Sequence, residues 1–304
     1  MEIRGPTQAG PRGDLANRRA PVALIAGATL LVVLVLGAGA AFFFGSVARV
    51  SSEHATAISA LESVRQHNNA IHAALSNPSL KGELNSAGSI QEVKAAMDDY
   101  RAQVGGSIRT VESDLVSLKA ERDRLSSAQW DPLTFSGRSQ LSRDRQRVEA
   151  ATAAFDSADK FLSILDSQLR AINTALQAMV EFDNVVAFVN ADDVSGGLAL
   201  VPQLQQRLKD AAAISTGDKI PPQVRALIDA LTRAVGDLNQ ALLALQRNDV
   251  TTAQAMSSAL DADGRAVDAS FDKPAFDAFE HKLLDPYRAA YEQQMRNAGF
   301  ALTG

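Results

Sequence analysis

The chain contains no cysteine. That absence excludes disulfides, thiolate metal sites, a cysteine nucleophile and a lipidated-cysteine anchor together. Histidine is scarce as well, with His54, His67, His72 and His281 the full set. His67 and His72 are five apart and diverge around a helix. No acidic residue completes a metal-ligand pattern with any of the four, so no metal is expected. Aromatics make up only 5 %. Strand-like alternation of Val, Ile, Thr and aromatic residues is nearly absent outside one apolar run, which disfavours a sheet. Positive charge is not in excess either: the net charge is -5 and the pI about 5.4. With no basic stripe, nucleic acid is not an expected partner.

The reactive motifs are missing too. There is no phosphate-binding Gly loop and no Gly-x-Ser-x-Gly elbow. Asp261-Ala262-Asp263-Gly264 resembles part of a calcium loop, but the first ligand position falls on Ala259 and the closing one on Ser270. Asp98-Asp99 and Asp192-Asp193 are adjacent pairs whose side chains diverge on a helix. Asp192-Asp193 suits helix-end or N-cap chemistry. No constellation of catalytic residues exists, so the chain is not expected to be an enzyme, and no cofactor is implied.

What the chain does have is an uncharged stretch from Ala20 to Ala48, bracketed by Arg18-Arg19 and Arg49. About 20 apolar residues suffice to cross a ~30 Å hydrocarbon core as a helix. Val22–Phe44 holds only apolar residues, Gly and one Thr. Arg4, Arg12, Arg18 and Arg19 precede it and place the N-terminus in the cytoplasm, with the bulk of the chain outside. A signal peptide cleaved after Ser46-Val47-Ala48 is the competing reading, but its apolar region would span only about 7–15 residues. Gly37, Ala41 and Gly45 give the span a small-xxx-small face, a candidate transmembrane packing face. An Ala- and Gly-rich segment also produces that spacing by chance.

Beyond the span, prolines divide the chain into long intervals, each with a seven-residue apolar repeat. Val50, Ala57, Val64 and Ile71 alternate with His54, Leu61, Asn68 and Leu75, so the first helix is expected to run on from the membrane to about Leu75. Asn68 is a candidate register-fixing residue of a coiled-coil seam, or a solvated Asn. Ser89-Ile90-Gln91-Glu92 fits a capping box. It opens a second helix that carries Met97, Val104, Val111, Leu118 and Leu125, with a kink expected at Gly105-Gly106, and stops before Trp130-Asp131-Pro132. A third is expected from about Ser139 to Asn190, with Leu141, Val148, Phe155, Leu162, Leu169 and Leu176 at one seam position and Met179 and Val186 ending the other.

The C-terminal third reads as shorter pieces. Asp192–Gly197 is expected to be a loop, followed by a helix over Pro202–Ile214. A further helix opens at Pro221-Pro222, another follows Asn248-Asp249, and the last begins at Lys273-Pro274 with a kink at Pro286.

The expected fold is all-α: a single N-terminal transmembrane helix continuing into an elongated antiparallel helical bundle or coiled coil, with a smaller C-terminal helical bundle. The expected divisions are a cytoplasmic tail (1–20), the span (21–48), a long helical hairpin region (49–190) and a C-terminal bundle (191–304). A second helix returning toward the bilayer brings Trp130, Leu133 and Phe135 to the membrane surface, unless they merely cap a hairpin. The functional expectation is a membrane-anchored, extracytoplasmic scaffold or protein-interaction protein of the cell envelope. Lipid would be contacted through the N-terminal helix, and a protein partner or a second copy through helix faces. The alternative is a ligand-sensing bundle acting through a separate signalling partner, which a polar cleft near Arg170, Asn173 or Arg225 would favour.

Overall fold

The structure is a computed structural model that describes residues 19–76, 89–270 and 272–301, with side chains from Ala40 onward except at 268–270 and 273. Among the described residues it is all-helical, with no strand. We number the helices α1 (Arg19–Ser76), α2 (Ile90–Ala128), α3 (Arg138–Asn190), α4 (Val194–Ile214), α5 (Pro222–Gln246), α6 (Val250–Ser270) and α7 (Lys273–Asn297). A 3-10 turn over Pro132–Gly137 joins α2 to α3. No helix among the described residues is long and apolar enough to cross a membrane. The side chains of the Val22–Phe44 run lie outside the described residues as far as Gly39.

The heptad positions account for the packing. Ala57, Leu61, Val64, Ile71 and Leu75 of α1 are buried with Val104, Val111, Leu118 and Leu125 of α2 and Leu141, Val148, Phe155 and Leu162 of α3 in one core. α2 runs antiparallel to both neighbours: Arg124 meets Glu53 and His67 meets Asp114 across α1, while Lys119 meets Asp156 and Arg101 meets Asp166 across α3. The Ser89 hydroxyl accepts from the Glu92 amide and caps α2 as its sequence suggests. Neither Gly105-Gly106 nor Pro286 interrupts its helix.

α7 completes this first core. Leu284, Tyr291, Met295 and Ala298 pack into it, the Tyr291 ring lies 6.4 Å from that of Phe155, and Arg147 Nε donates to the Ala298 carbonyl at 3.0 Å. Further along the spine, α3 meets α4 and α5 in a second core of Ala178, Val185, Val201, Leu204, Leu231, Val235 and Leu242. α6 adds Leu260 and Val267 at its edge. At 1.5 Å per residue, α3 is about 80 Å long and serves both cores.

The loop expected over Asp192–Gly197 is not found. Gly196 and Gly197 lie inside α4, not in a loop, and Pro202 lies mid-helix. The start is set by Asp193, whose carboxylate accepts from the Gly196 amide at 2.8 Å, just after the left-handed turn at Asp192 (φ 60). A Cβ at Gly196 would fall 2.5 Å from Asp193 Oδ2 and 2.6 Å from Phe188. Glycine is therefore required by crowding in the first helical turn.

Polar pairs punctuate the inner face of α1. The Glu53 side chain, only 2 % exposed, sits between Arg49 at 3.1 Å and Arg124 at 3.2 Å. Buried Asp144 meets His54 Nδ1 at 2.7 Å. Buried Asp114 meets His67 Nδ1 at 2.7 Å and accepts from Ser63 at 3.1 Å. A shift of α1 by one turn would leave these buried carboxylates without partners, a heavy penalty for an uncompensated charge.

Candidate membrane-facing site

The 3-10 turn is fixed by its own sequence. Asp131 accepts from the Leu133 amide at 2.9 Å, Pro132 supplies a preset φ at the first helical position, and the buried Thr134 hydroxyl reaches the Ala128 carbonyl at 2.6 Å. The turn docks on α1 just where the uncharged sequence stretch ends. Ser136 Oγ and Ser46 Oγ are 2.6 Å apart, and the Phe135 and Phe42 rings stack with centroids at 5.8 Å. A Cβ on Gly137 would fall 2.4 Å from Val50 Cγ1, so only glycine permits this approach.

The docking leaves an apolar rim in the open. Trp130 is 79 % exposed and Phe44 70 %, with Phe43, Phe135, Val47, Phe42 and Leu133 about half exposed. Phe135 is thus brought onto α1, and Trp130 and Leu133 project from the same turn. Gly137 is the residue that sequence reasoning missed. Its only signal is a glycine between the turn and a helix.

Gly37 lies outside the residues whose side chains are described. Ala41 and Gly45 are exposed, and a Cβ at Gly45 would meet nothing within 4 Å. Asn68 is buried, and its Oδ1 accepts from the Tyr291 hydroxyl at 2.6 Å. Every histidine faces a carboxylate: His54 with Asp144, His67 with Asp114, His72 with Glu292 and His281 with Asp285. Among the described residues no cluster of His, Asp or Glu is arranged to hold a metal ion. Asp193 is the N-cap of α4, and Asp98 is held by Lys94 and Asn173, both at 2.6 Å. Those hydrogen bonds, Lys94 foremost, hold the Asp98 carboxyl below the usual carboxylate range.

Two grooves matter on the described helical surface. One, of about 520 Å³, lies between α2 and α3 and is lined by Arg101, Arg109, Arg170, Asp98, Asp166 and Gly105. Asn173 borders this region through its bond to Asp98. Arg225 instead staples the α4–α5 loop, donating to the carbonyls of Ser215 and Gly217. A glycine inside a helix costs roughly 1 kcal/mol relative to alanine. Packing within the chain does not require Gly105 or Gly106: a Cβ at Gly105 would meet only Arg109 Nη1, at 3.9 Å, and one at Gly106 nothing within 4 Å. The second groove, about 450 Å³, is mostly apolar and opens between α3 and α6 along Met179, Phe182, Val186, Leu231, Leu260 and Val267. Comparison with known proteins found no matching family model, curated protein or solved structure.

Proposed function

We propose that the chain is a single-pass scaffold or protein-interaction protein of the cell envelope, with its N-terminus in the cytoplasm and its helical bundle outside. The observation that carries this reading is the coincidence of two apolar features. The Val22–Phe44 run ends at the level where the α2–α3 turn docks, and there Phe43, Phe44, Trp130 and Phe135 form an exposed rim. Aromatic side chains favour the headgroup layer, so the rim would rest on a membrane that the Val22–Phe44 run would enter. Because α1 is one helix from Arg19 to Ser76, anchor and bundle would be mechanically continuous.

The role we assign is non-catalytic and belongs to helix faces. Support comes from the groove between α3 and α6, a mostly apolar surface where the seam residue Val186 is only partly buried. Fractionation of the intact chain is the first test, and recovery from the membrane pellet after alkaline wash is the expected result. Recovery from the soluble fraction would end the anchored reading. The domain lacking residues 1–40 should bind zwitterionic liposomes through the aromatic rim, and Trp130→Ser with Phe135→Ser should weaken that binding. Undiminished binding would remove the rim from the proposal. In-cell cross-linking should recover a protein partner or a second copy; a strict monomer without partners would count against the scaffold role.

A further inference from the structure

We propose that the groove between α2 and α3 is a binding site for a small free dianion, with Arg101, Arg109 and Arg170 as its donors and Gly105 as its floor. Asp166 sets the geometry. One of its oxygens lies 3.3 Å from Arg101 Nε and the other 2.8 Å from Arg170 Nη2, so a single, largely buried carboxylate holds two guanidiniums from different helices in place. Each guanidinium carries five N–H donors, and Asp166 takes few of them. Arg109 makes no ion pair among the described residues, and its Nη1 lies over Gly105. With Lys94 counted, four cations surround two carboxylates, Asp98 and Asp166. The local excess is positive in a chain whose net charge is -5. An oxyanion bearing two charges would balance it, held by planar forks suited to carboxylate or phosphate.

Gly105 keeps the floor of the groove low. Gly105 weakens α2, and no neighbouring atom in the chain needs the space that its missing side chain leaves. A ligand lying against the helix backbone does need that space. The height of the groove argues against a lipid headgroup: Asp166 stands 28 residues along α3 from its start at Arg138, about 40 Å beyond the aromatic rim at 1.5 Å per residue. The site needs neither the anchor nor a protein partner, so it stands or falls apart from the scaffold role.

The test uses the full chain in detergent, with inorganic phosphate and succinate as probes and chloride and acetate as controls at matched ionic strength. Thermal shift and calorimetric titration should show saturable binding of at least one dianion beyond anything chloride or acetate produces. Phosphate and succinate separate the two oxyanion types. Arg109→Ala, at an exposed residue without an ion-pair partner, should fold normally and weaken binding about tenfold or more, the loss of one charge-assisted contact. Gly105→Ala should raise the Tm without ligand and shrink the dianion response, which separates binding from folding. A wild-type response no larger than that of chloride would overturn the site, as would undiminished binding in either variant.

Discussion

Tyr291 shows how one buried side chain couples stability to pH. Its ring is fully buried in the first core, and its hydroxyl donates to Asn68 Oδ1. Burial pushes the phenol above its ordinary value of 10.0 because the phenolate would be desolvated. Tyr100 is raised for the same reason, with the charge of Glu280 adding to it. A group whose folded pKa is raised binds its proton more tightly in the folded state. The stability it lends is therefore intact below pH 10 and drains away as pH climbs toward the folded value. Denaturant titrations should show stability falling steeply above pH 10, and Tyr291→Phe should flatten that slope. At about pH 7 the same change should cost about 1–3 kcal/mol, because buried Asn68 loses its donor. Adding Asn68→Leu should recover most of the loss; a double variant no better than the single one would mean the hydrogen bond is not the cause. Gly137 offers a second residue-scale test. Its φ of -119 suits any residue, so the constraint is contact with Val50 rather than backbone strain. Gly137→Ala should destabilise by about 1–3 kcal/mol through overpacking, and Val50→Ala added to it should relieve the strain.

At the scale of elements, the heptads made most helices legible. The third is expected over Ser139–Asn190 and spans Arg138–Asn190, because an unbroken apolar period without proline has one reading. The stop of α2 before Trp130-Asp131-Pro132 was legible as well, since proline cannot continue a helix. α4 was not. Gly196-Gly197 and Pro202 read as breakers, and only the carboxylate of Asp193 and the crowding of Phe188 show why a helix tolerates them. Of the Arg groove only Arg170 and Asn173 were candidates from the sequence, because Arg101 and Asp166 meet only once the register of α2 on α3 is fixed. Nor did the pattern of α7 show that Tyr291 would return to Asn68. The capping account of α4 is testable. Asp193→Ala should cost about 0.5–2 kcal/mol and speed amide exchange over residues 196–201, while α5 stays protected. Equal loss of protection across both helices would assign Asp193 a role beyond its own cap.

The whole molecule is organised by α3. Its first half builds a core with α1, α2 and α7, and its second half builds another with α4 and α5. Two stacked cores can unfold separately unless something crosses between them. Here three things do. The helix itself is continuous, Met179 packs on both cores, and Ile172 joins the first core to a small cluster around Ala171, Val224 and Ile228, which Leu227 ties to the second. Phe276, near the start of α7, packs on that same cluster. Side chains shared between cores transmit unfolding, because losing one core strips apolar cover from the other. Calorimetry of the bundle should therefore show one cooperative transition. Ile172→Ala with Met179→Ala removes shared contacts while leaving helix propensity intact, since alanine is the best helix former. That variant should split the transition in two, with the peak for the α4–α5 core moving to lower temperature. If the single peak merely shifts downward as a whole, cooperativity resides in the continuous backbone of α3, and the shared side chains contribute only stability.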